Sequence, residues 1–218
     1  MPRALVTGGN RGIGFAMARG LMARGCDVVI GARDATAGAE AADTLGCAWV
    51  RMDLEDTASL APAVEAAGDI DILVNNAGIL IEDSMIAHPD GLRRSMQIMF
   101  HAPFELSLLC LPHMTRAGAG RIINVSSGWG AYAEGLEGPG GYGVAKAALN
   151  ALTFALPRDL PPGVSVNAMC PGWVHTRMGG QAAPRTPDEG ADTGIWLALD
   201  APGTVTGKFF RNRQEIAW

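Results

Sequence analysis

Short apolar runs alternate along the chain with longer, alanine-rich stretches. The runs are RALVTG, DVVIGA, AWVRMD, DILVNNAG, RIINVSS and VSVNAMCPG, and they are rich in valine and isoleucine. Compact runs of this kind are typical of parallel strands that are buried on both faces. Their alternation with helix-like segments indicates repeated β-α units. The pattern therefore predicts six strands, with a possible closing strand at GKFF near the end of the chain.

The stretches between these strands predict helices. We expect them near residues 12–24, 35–45, 57–67, 91–117, 142–156 and 188–199. No internal repeat or linker divides the chain, and 218 residues suit one well-packed α/β domain. We therefore predict a single doubly wound domain over residues 1–218, with a mostly parallel sheet of six to seven strands flanked by helices. A Gly-, Ala- and Pro-rich stretch predicts a short loop near 177–190.

Composition and charge exclude several classes of protein. The chain is 48% hydrophobic and 18% charged, and its formal net charge of −5 argues against a partner such as nucleic acid or an acidic membrane surface. No apolar run approaches the length of a membrane span, and the N-terminus has no signal-peptide layout. Four scattered cysteines indicate neither a disulfide framework nor a metal site. We expect a cytoplasmic protein.

The first strand leads directly into TGGNRGIG, residues 7–14, and then into a helix. Gly8, Gly12 and Gly14 allow a tight turn that brings backbone N–H groups to the helix N-terminus, where the helix dipole favours an anion such as a pyrophosphate. A glycine triplet between a first strand and a first helix is the setting of a dinucleotide site. The chain therefore has the features of a Rossmann-type domain.

The end of the second strand indicates which dinucleotide is bound. Folds that prefer the non-phosphorylated cofactor usually carry an acidic residue there, which binds the ribose 2′-hydroxyl. Here a neutral Ala32 is followed by Arg33, and Arg11 lies within the glycine turn. Guanidinium groups suit a 2′-phosphate because they bind it through two N–H groups. We expect NADP rather than NAD, with Asp34 pointing elsewhere.

Tyr142 and Lys146 are candidates for proton transfer. They stand four residues apart at the start of a predicted helix, and residues at that spacing share a helix face. A nearby ammonium group favours the phenolate, so we expect Lys146 to lower the pKa of Tyr142. The phenol would then donate or accept a proton near neutral pH. Taken alone, the pair also fits an ordinary surface tyrosine and lysine.

Together these segments resemble the short-chain dehydrogenase/reductase family over essentially the full chain. TGGNRGIG matches the glycine turn of the family, and DILVNNAG, NVSS, YGVAK and NAMCPGWVHT match its later motifs in the same order. The PGWV segment and the C-terminal residues look most like the carbonyl-reductase branch. The resemblance implies reduction of a ketone or aldehyde, or the reverse reaction, on a small-molecule substrate. It also implies a homodimer or homotetramer, although carbonyl-reductase-like members are sometimes monomeric.

The resemblance also implies a role for each matching residue. Tyr142 would exchange the proton, Lys146 would lower its pKa and hold the nicotinamide ribose, and Ser127 would bind the substrate oxygen. Asp53 would contact the adenine, although a strand-end aspartate also caps turns. The residues that would bind the cofactor are Gly8, Asn10, Arg11, Gly12, Ile13, Gly14, Arg33, Asp53, Leu54, Asn76, Ala77, Gly78, Tyr142, Lys146, Pro171, Gly172, Val174 and Thr176.

Two features depart from the family pattern. The asparagine that ordinarily helps hold a water near the active-site lysine is replaced by Met99, whose sulfur is only a weak acceptor. His101 is expected to be an ordinary, partly buried residue. The region after Thr176 is short, which favours an open pocket with Trp129, Tyr132, Glu134, Trp173, His175 and Met178 as candidate walls. Because Met99 puts the proton route in doubt, a weakly catalytic NADP-binding sensor or scaffold protein stays as the alternative.

Overall fold

The computed structural model describes residues 1–218, and its eight strands form a single sheet in the order β3-β2-β1-β4-β5-β6-β7-β8. All neighbouring pairs are parallel except β7 and β8. The strands are β1 (Arg3–Thr7), β2 (Asp27–Ala32), β3 (Ala48–Arg51), β4 (Ile72–Asn75), β5 (Gly120–Val125), β6 (Val164–Met169), β7 (Lys208–Arg211) and β8 (Gln214–Glu215). The prediction of an α/β domain with a mostly parallel sheet is confirmed.

Helices cover both faces of this sheet. They are α1 (Gly12–Ala23), α2 (Ala35–Leu45), α3 (Leu60–Ala67), α4 (Pro89–Met96), α5 (Ala102–Ala117), α6 (Tyr142–Ala155) and α7 (Pro187–Leu199). One buried cluster joins the sheet to α3, α5 and α6, and another joins it to α1, α2 and α7. Along β1, Leu5 belongs to the first cluster while Ala4 and Val6 belong to the second, as the two-residue period of a strand requires. None of the helices combines the length and apolar character that a membrane span requires.

The structure adds two features to the predicted elements. An eighth strand arises because Asn212 and Arg213, with φ of 52° and 61°, form a two-residue turn that returns the chain beside β7. Positive φ at both central residues is typical of tight hairpin turns. The long helix expected near 91–117 contains a π-helical turn at Gln97–His101 between α4 and α5. Such turns are frequent at functional sites.

The strand order determines where a ligand binds. The chain runs outward from β1 through β2 to β3, and then returns to the other side of β1 with β4. In open parallel sheets, ligands bind outside the carboxyl ends of the strands, where the direction of winding reverses. The expected position is therefore the crevice beyond the carboxyl ends of β1 and β4.

Phe209 is the side chain on β7 whose loss we expect to affect stability most. It is fully buried, and its ring stacks on that of Trp218 with 5.3 Å between ring centroids. We predict that Phe209→Ala lowers the free energy of unfolding by about 3–5 kcal/mol, because it removes buried area and leaves a cavity. Denaturant unfolding measures this loss; a change below about 1 kcal/mol would show that the surroundings collapse into the space.

Candidate active site

The glycine turn connects β1 to α1 at the expected crevice. Gly8 and Gly12 have φ of 63° and 56°, a conformation that other residues rarely adopt. A β-carbon added to Gly14 would lie 2.4 Å from the carbonyl oxygen of Gly8, so a larger residue would not fit. No side chain caps the start of α1. The turn, which includes Asn10 and Ile13, therefore presents uncapped backbone amides at a helix N-terminus, as a phosphate group requires.

Thr7 joins this turn to the end of β4. Its hydroxyl accepts the backbone N–H groups of Asn76 (3.0 Å) and Ala77 (3.1 Å). The amide of Asn76 donates in return to the Thr7 carbonyl at 2.9 Å. A β-carbon on Gly8 would lie 3.1 Å from the α-carbon of Ala77, so the two segments touch. Sequence reasoning did not assign Thr7, although it is the first residue of the turn motif.

Three arginines gather beside the turn. Burial, and then the positive charges of Arg177 and Arg33, lower the pKa of Arg11. Arg33 contacts Glu55 at 3.4 Å, and Arg94 also binds that carboxylate, at 2.8 Å. Arg177 is a residue that sequence reasoning missed, because only the folded chain brings it to the glycine turn. The cluster supplies the positive charge that a phosphorylated dinucleotide needs.

Asp34 and Asp53, which follow β2 and β3, form hydrogen bonds with different partners. Asp34 caps α2 by accepting the N–H of Ala37 at 2.8 Å, so one of its carboxylate oxygens is engaged at the start of that helix. Asp53 accepts the N–H of Glu55 at 3.1 Å. Asp53 therefore caps a turn, as strand-end aspartates often do. The bond uses only one of its two carboxylate oxygens. Leu54 is buried beside it.

Ser127 and Tyr142 lie together at the end of β5 and the start of α6. The two side chains are close enough for Ser127 to lower the pKa of Tyr142, and the Ser127 hydroxyl accepts the N–H of Trp129 at 3.2 Å. The preceding Ser126 is buried instead, and its hydroxyl binds Asn150. Of the two serines, Ser127 is therefore the one in contact with the tyrosine.

Lys146 lies one helical turn beyond Tyr142, with its Nζ 5.8 Å from the centre of the phenol ring. The ammonium donates to the carbonyl of Val125 at 2.6 Å, and burial lowers its pKa to about 8. Burial raises the pKa of Tyr142 to about 12, the nearby Ser127 hydroxyl opposes the rise, and Cys170 adds to it. The expectation of a lowered tyrosine pKa was wrong, because desolvation of the buried phenol outweighs the other contributions.

The buried ammonium makes stability depend on pH. Lys146 binds its proton less tightly in the folded chain than in the unfolded one, which has the ordinary value of 10.5. The folded state therefore carries a penalty below pH 8, which is lost as pH rises from 8 toward 10.5. We predict that Lys146→Met stabilises the chain by about 1–3 kcal/mol at pH 7, and that this gain shrinks by pH 10. Denaturant unfolding at both pH values measures the gain; a gain independent of pH would contradict this reasoning.

Met99 lies close to the lysine, inside the π-helical turn. It is fully buried, and a β-carbon added to Gly78 would lie 3.3 Å from its sulfur and 3.8 Å from Nζ of Lys146. A thioether therefore occupies the surroundings of the ammonium, where an amide was expected from the family pattern. His101 is exposed rather than partly buried, and its ring meets that of Phe100 edge to face.

The segment after β6 forms the other wall of the crevice. Pro171 and Val174 are buried, and Gly172 has φ of 76°. A β-carbon on Gly12 would lie 3.2 Å from the methyl group of Thr176, so this segment reaches the glycine turn. The backbone of His175 then pairs with Arg185 at 2.7 Å, which closes a short loop before α7.

The candidate walls of the substrate pocket differ in what their side chains contact. Trp129 meets Tyr142 edge to face, with 6.2 Å between ring centroids, and is about half exposed. Glu134 instead forms an ion pair with Arg211. The remaining candidates are all exposed to solvent; they are Tyr132, Trp173, His175 and Met178. Trp129 is therefore the candidate wall that directly contacts the proposed proton donor.

Comparison with known proteins identifies relatives along the whole chain. The family model for short chain dehydrogenase matches residues 2–186. Carbonyl reductase (NADPH) 1 of Mus musculus is 30% identical over 276 aligned positions, which cover 100% of this chain and 98% of that protein. A rhamnolipids biosynthesis 3-oxoacyl-(acyl-carrier-protein) reductase of Pseudomonas aeruginosa is 36% identical over 189 positions, covering 80% of this chain and 73% of that protein. The mouse alignment exceeds 218 positions, so that relative has segments that this chain lacks.

Solved structures show the same fold. The NADPH-bound carbonyl reductase from chicken fatty liver superposes with a TM-score of 0.88 at 26% identity, over 100% of this chain and 99% of that one. A short chain dehydrogenase/reductase family protein also gives a TM-score of 0.88, at 34% identity, over 96% of this chain and 94% of that one. Together with the family model and the mouse relative, these matches show that the chain belongs to the short-chain dehydrogenase/reductase family.

Proposed function

We propose that the protein is an NADPH-dependent oxidoreductase that reduces a ketone or aldehyde to an alcohol, or catalyses the reverse reaction. One observation carries the proposal: Ser127, Tyr142 and Lys146 meet at the carboxyl edge of the sheet, beside an uncapped glycine turn. The named carbonyl and ketoacyl reductases among its relatives agree with this class of reaction.

The crevice suits NADPH in shape and charge. The glycine turn leaves no room for a β-carbon on Gly14, and Arg11, Arg33 and Arg177 place positive charge beside it. Val174 offers a backbone N–H without a hydrogen-bond partner, near the Thr176 hydroxyl. We assign the arginines to the phosphates and the Val174–Thr176 segment to the carboxamide. Bound in this crevice, NADPH would supply the hydride that adds to the carbonyl carbon.

The side chains of the chain itself supply the proton and orient the substrate. The Ser127 hydroxyl donates to the carbonyl oxygen and holds it beside the phenol of Tyr142. Because the pKa of that phenol is about 12, it is protonated at neutral pH and is ready to donate to the developing alkoxide. The Lys146 ammonium then stabilises the phenolate that remains, since an opposite charge nearby favours the ionised form.

Isotope transfer tests this assignment. NADPH that carries deuterium at the transferring position of C4 is incubated with the protein and a ketone, and the alcohol is analysed by mass spectrometry. The proposal predicts one deuterium on the carbinol carbon of each product molecule. Alcohol that forms without deuterium, with cofactor labelled on either face of the ring, would rule out direct hydride transfer.

A catalytically weak NADP-binding sensor or scaffold is the second candidate, and Met99 is the observation that favours it. Its thioether lies where an amide would help to supply protons near Lys146. A sensor binds NADPH without consuming it, whereas a reductase consumes it when given a carbonyl compound. The intact contact between Ser127 and Tyr142 supports the reductase over the sensor.

We also propose a homodimer or homotetramer in the cytoplasm. The proposal of an oligomer rests on the family resemblance, and the helices α5 and α6 expose the apolar side chains of Leu108 and Phe154. The proposed location rests on four free cysteines, which suit a reducing compartment. Light scattering of the purified protein and fractionation of the source cells test the two parts; a monomer, or recovery outside the cytosol, would contradict them.

A further inference from the structure

A polar cluster lies beside the segment that carries Ser127. It consists of Glu134, Cys170 and Arg211, which we call the Glu134–Cys170–Arg211 cluster. Nη2 of Arg211 donates to both carboxylate oxygens of Glu134, at 2.7 Å and 2.9 Å. Glu134 first, and then the nearby Cys170, raise the pKa of Arg211, so the thiol lies close to the guanidinium. Glu134 lies in the segment after β5, Cys170 directly follows β6 and Arg211 is the last residue of β7, so the cluster lies at the carboxyl ends of these strands.

The cluster holds Gly128, the residue after Ser127, on two sides. The N–H of Gly128 donates to the sulfur of Cys170 at 3.2 Å. A β-carbon added to Gly128 would lie 2.1 Å from Oε2 of Glu134 and 2.5 Å from Nη2 of Arg211. The ion pair is therefore packed against the α-carbon while the sulfur fixes the amide. This arrangement leaves Gly128, and with it the peptide bond between Ser127 and Gly128, little freedom to move.

The same sulfur also reaches the wall opposite the serine. Cys170 accepts the N–H of Gly172 at 3.4 Å, in the segment that we assign to the nicotinamide side of the crevice. It lies close enough to Tyr142 and Lys146 to raise the pKa of each. One sulfur atom is thus shared by the serine segment and the cofactor wall.

We propose that Arg211 is a positioning residue for Ser127, acting through its ion pair with Glu134, which packs against the neighbouring Gly128. The inference rests on the proposed function, in which Ser127 contacts the substrate oxygen. A guanidinium suits this role because it is planar and its Nη2 group binds both oxygens of the Glu134 carboxylate, whereas the ammonium of a lysine is a point charge on a flexible stem. Sub-ångström placement of such a group affects the rate of reaction, because a misplacement of about 1 Å costs roughly 100-fold.

A double-mutant cycle tests the proposal. The variants are Arg211→Ala, Ser127→Ala and the two combined, and each is measured for kcat, KM for a ketone, NADPH affinity and melting temperature. The matched control is Arg213→Ala, which removes an arginine of the same hairpin that pairs with Asp192. We expect Arg211→Ala to lower kcat by about 10- to 100-fold, with a much smaller change in KM and in NADPH affinity. The control should leave kcat unchanged.

The combined variant decides whether Arg211 acts through the serine. If it does, Arg211→Ala causes little further loss of kcat once Ser127 is alanine, because the effects of mutations at coupled residues are not additive. Additive losses, or a normal kcat for Arg211→Ala alone, would overturn the inference and leave the proposed function intact. A normal kcat for Ser127→Ala would overturn both. If Arg211→Ala does not fold, Arg211→Lys takes its place in the cycle, with the same expectations.

Discussion

Replacing Tyr142 with phenylalanine is expected to lower kcat by about 10²- to 10⁴-fold, the usual contribution of a positioned proton donor. Phenylalanine keeps the ring that packs in the buried cluster and against Trp129, and it removes only the hydroxyl beside Ser127. The rate is measured as the loss of NADPH absorbance with a saturating ketone.

Two further measurements show that a slow variant is still correctly folded. NADPH affinity, followed by cofactor fluorescence, should be nearly unchanged, because the glycine turn and the arginines are untouched. The melting temperature should not fall, because a buried phenol is replaced by an apolar ring of the same shape. A variant that binds NADPH and keeps most of its kcat would show that another group donates the proton.

Arg33→Asp is expected to reverse the cofactor preference. The change removes a guanidinium from the arginine cluster and places a carboxylate where the 2′-phosphate of NADPH is expected, at the end of β2. A carboxylate at this position binds the 2′-hydroxyl of NADH and repels the phosphate. We predict that the ratio of the Kd for NADPH to the Kd for NADH rises by about 100-fold or more, since each charged hydrogen bond contributes roughly 10- to 100-fold.

The control for this substitution carries the same change of charge elsewhere. Arg116 is exposed at the end of α5, beside Asp69 and away from the carboxyl edge of the sheet. Arg116→Asp should therefore leave the Kd ratio as it is in the unchanged protein. Equal effects of Arg33→Asp and Arg116→Asp would mean that net charge, rather than a contact with the 2′-phosphate, determines the preference.

The strands, most helix boundaries and the glycine turn could be predicted because each depends on neighbours in sequence. Valine- and isoleucine-rich runs specify buried strands, and a turn with positive φ at Gly8 and Gly12 requires glycine. The contact between Ser127 and Tyr142 was also expected, although only through the family resemblance. The spacing of Tyr142 and Lys146 predicted their shared helix face correctly.

Other features depend on contacts that sequence order does not reveal. The spacing of Tyr142 and Lys146 says nothing of burial, so the direction of the tyrosine pKa shift was wrong. The π-helical turn has nearly the same periodicity as the helix around it, and so it was missed. Glu134 and Arg211 are 77 residues apart, and Arg177 meets Arg11 only after the segment that follows β6 folds back onto the first turn.

The central claim is that the chain consumes NADPH and does not merely bind it. The most direct test follows absorbance at the reduced-nicotinamide band with NADPH and NADH separately, against a panel of ketones, aldehydes and quinones. A reductase of the proposed kind should oxidise NADPH faster than NADH with at least one carbonyl class, and should lose that activity in the Tyr142→Phe variant. Tight NADPH binding with no oxidation by any member of the panel would contradict it and would favour a sensor whose proton route is interrupted at Met99.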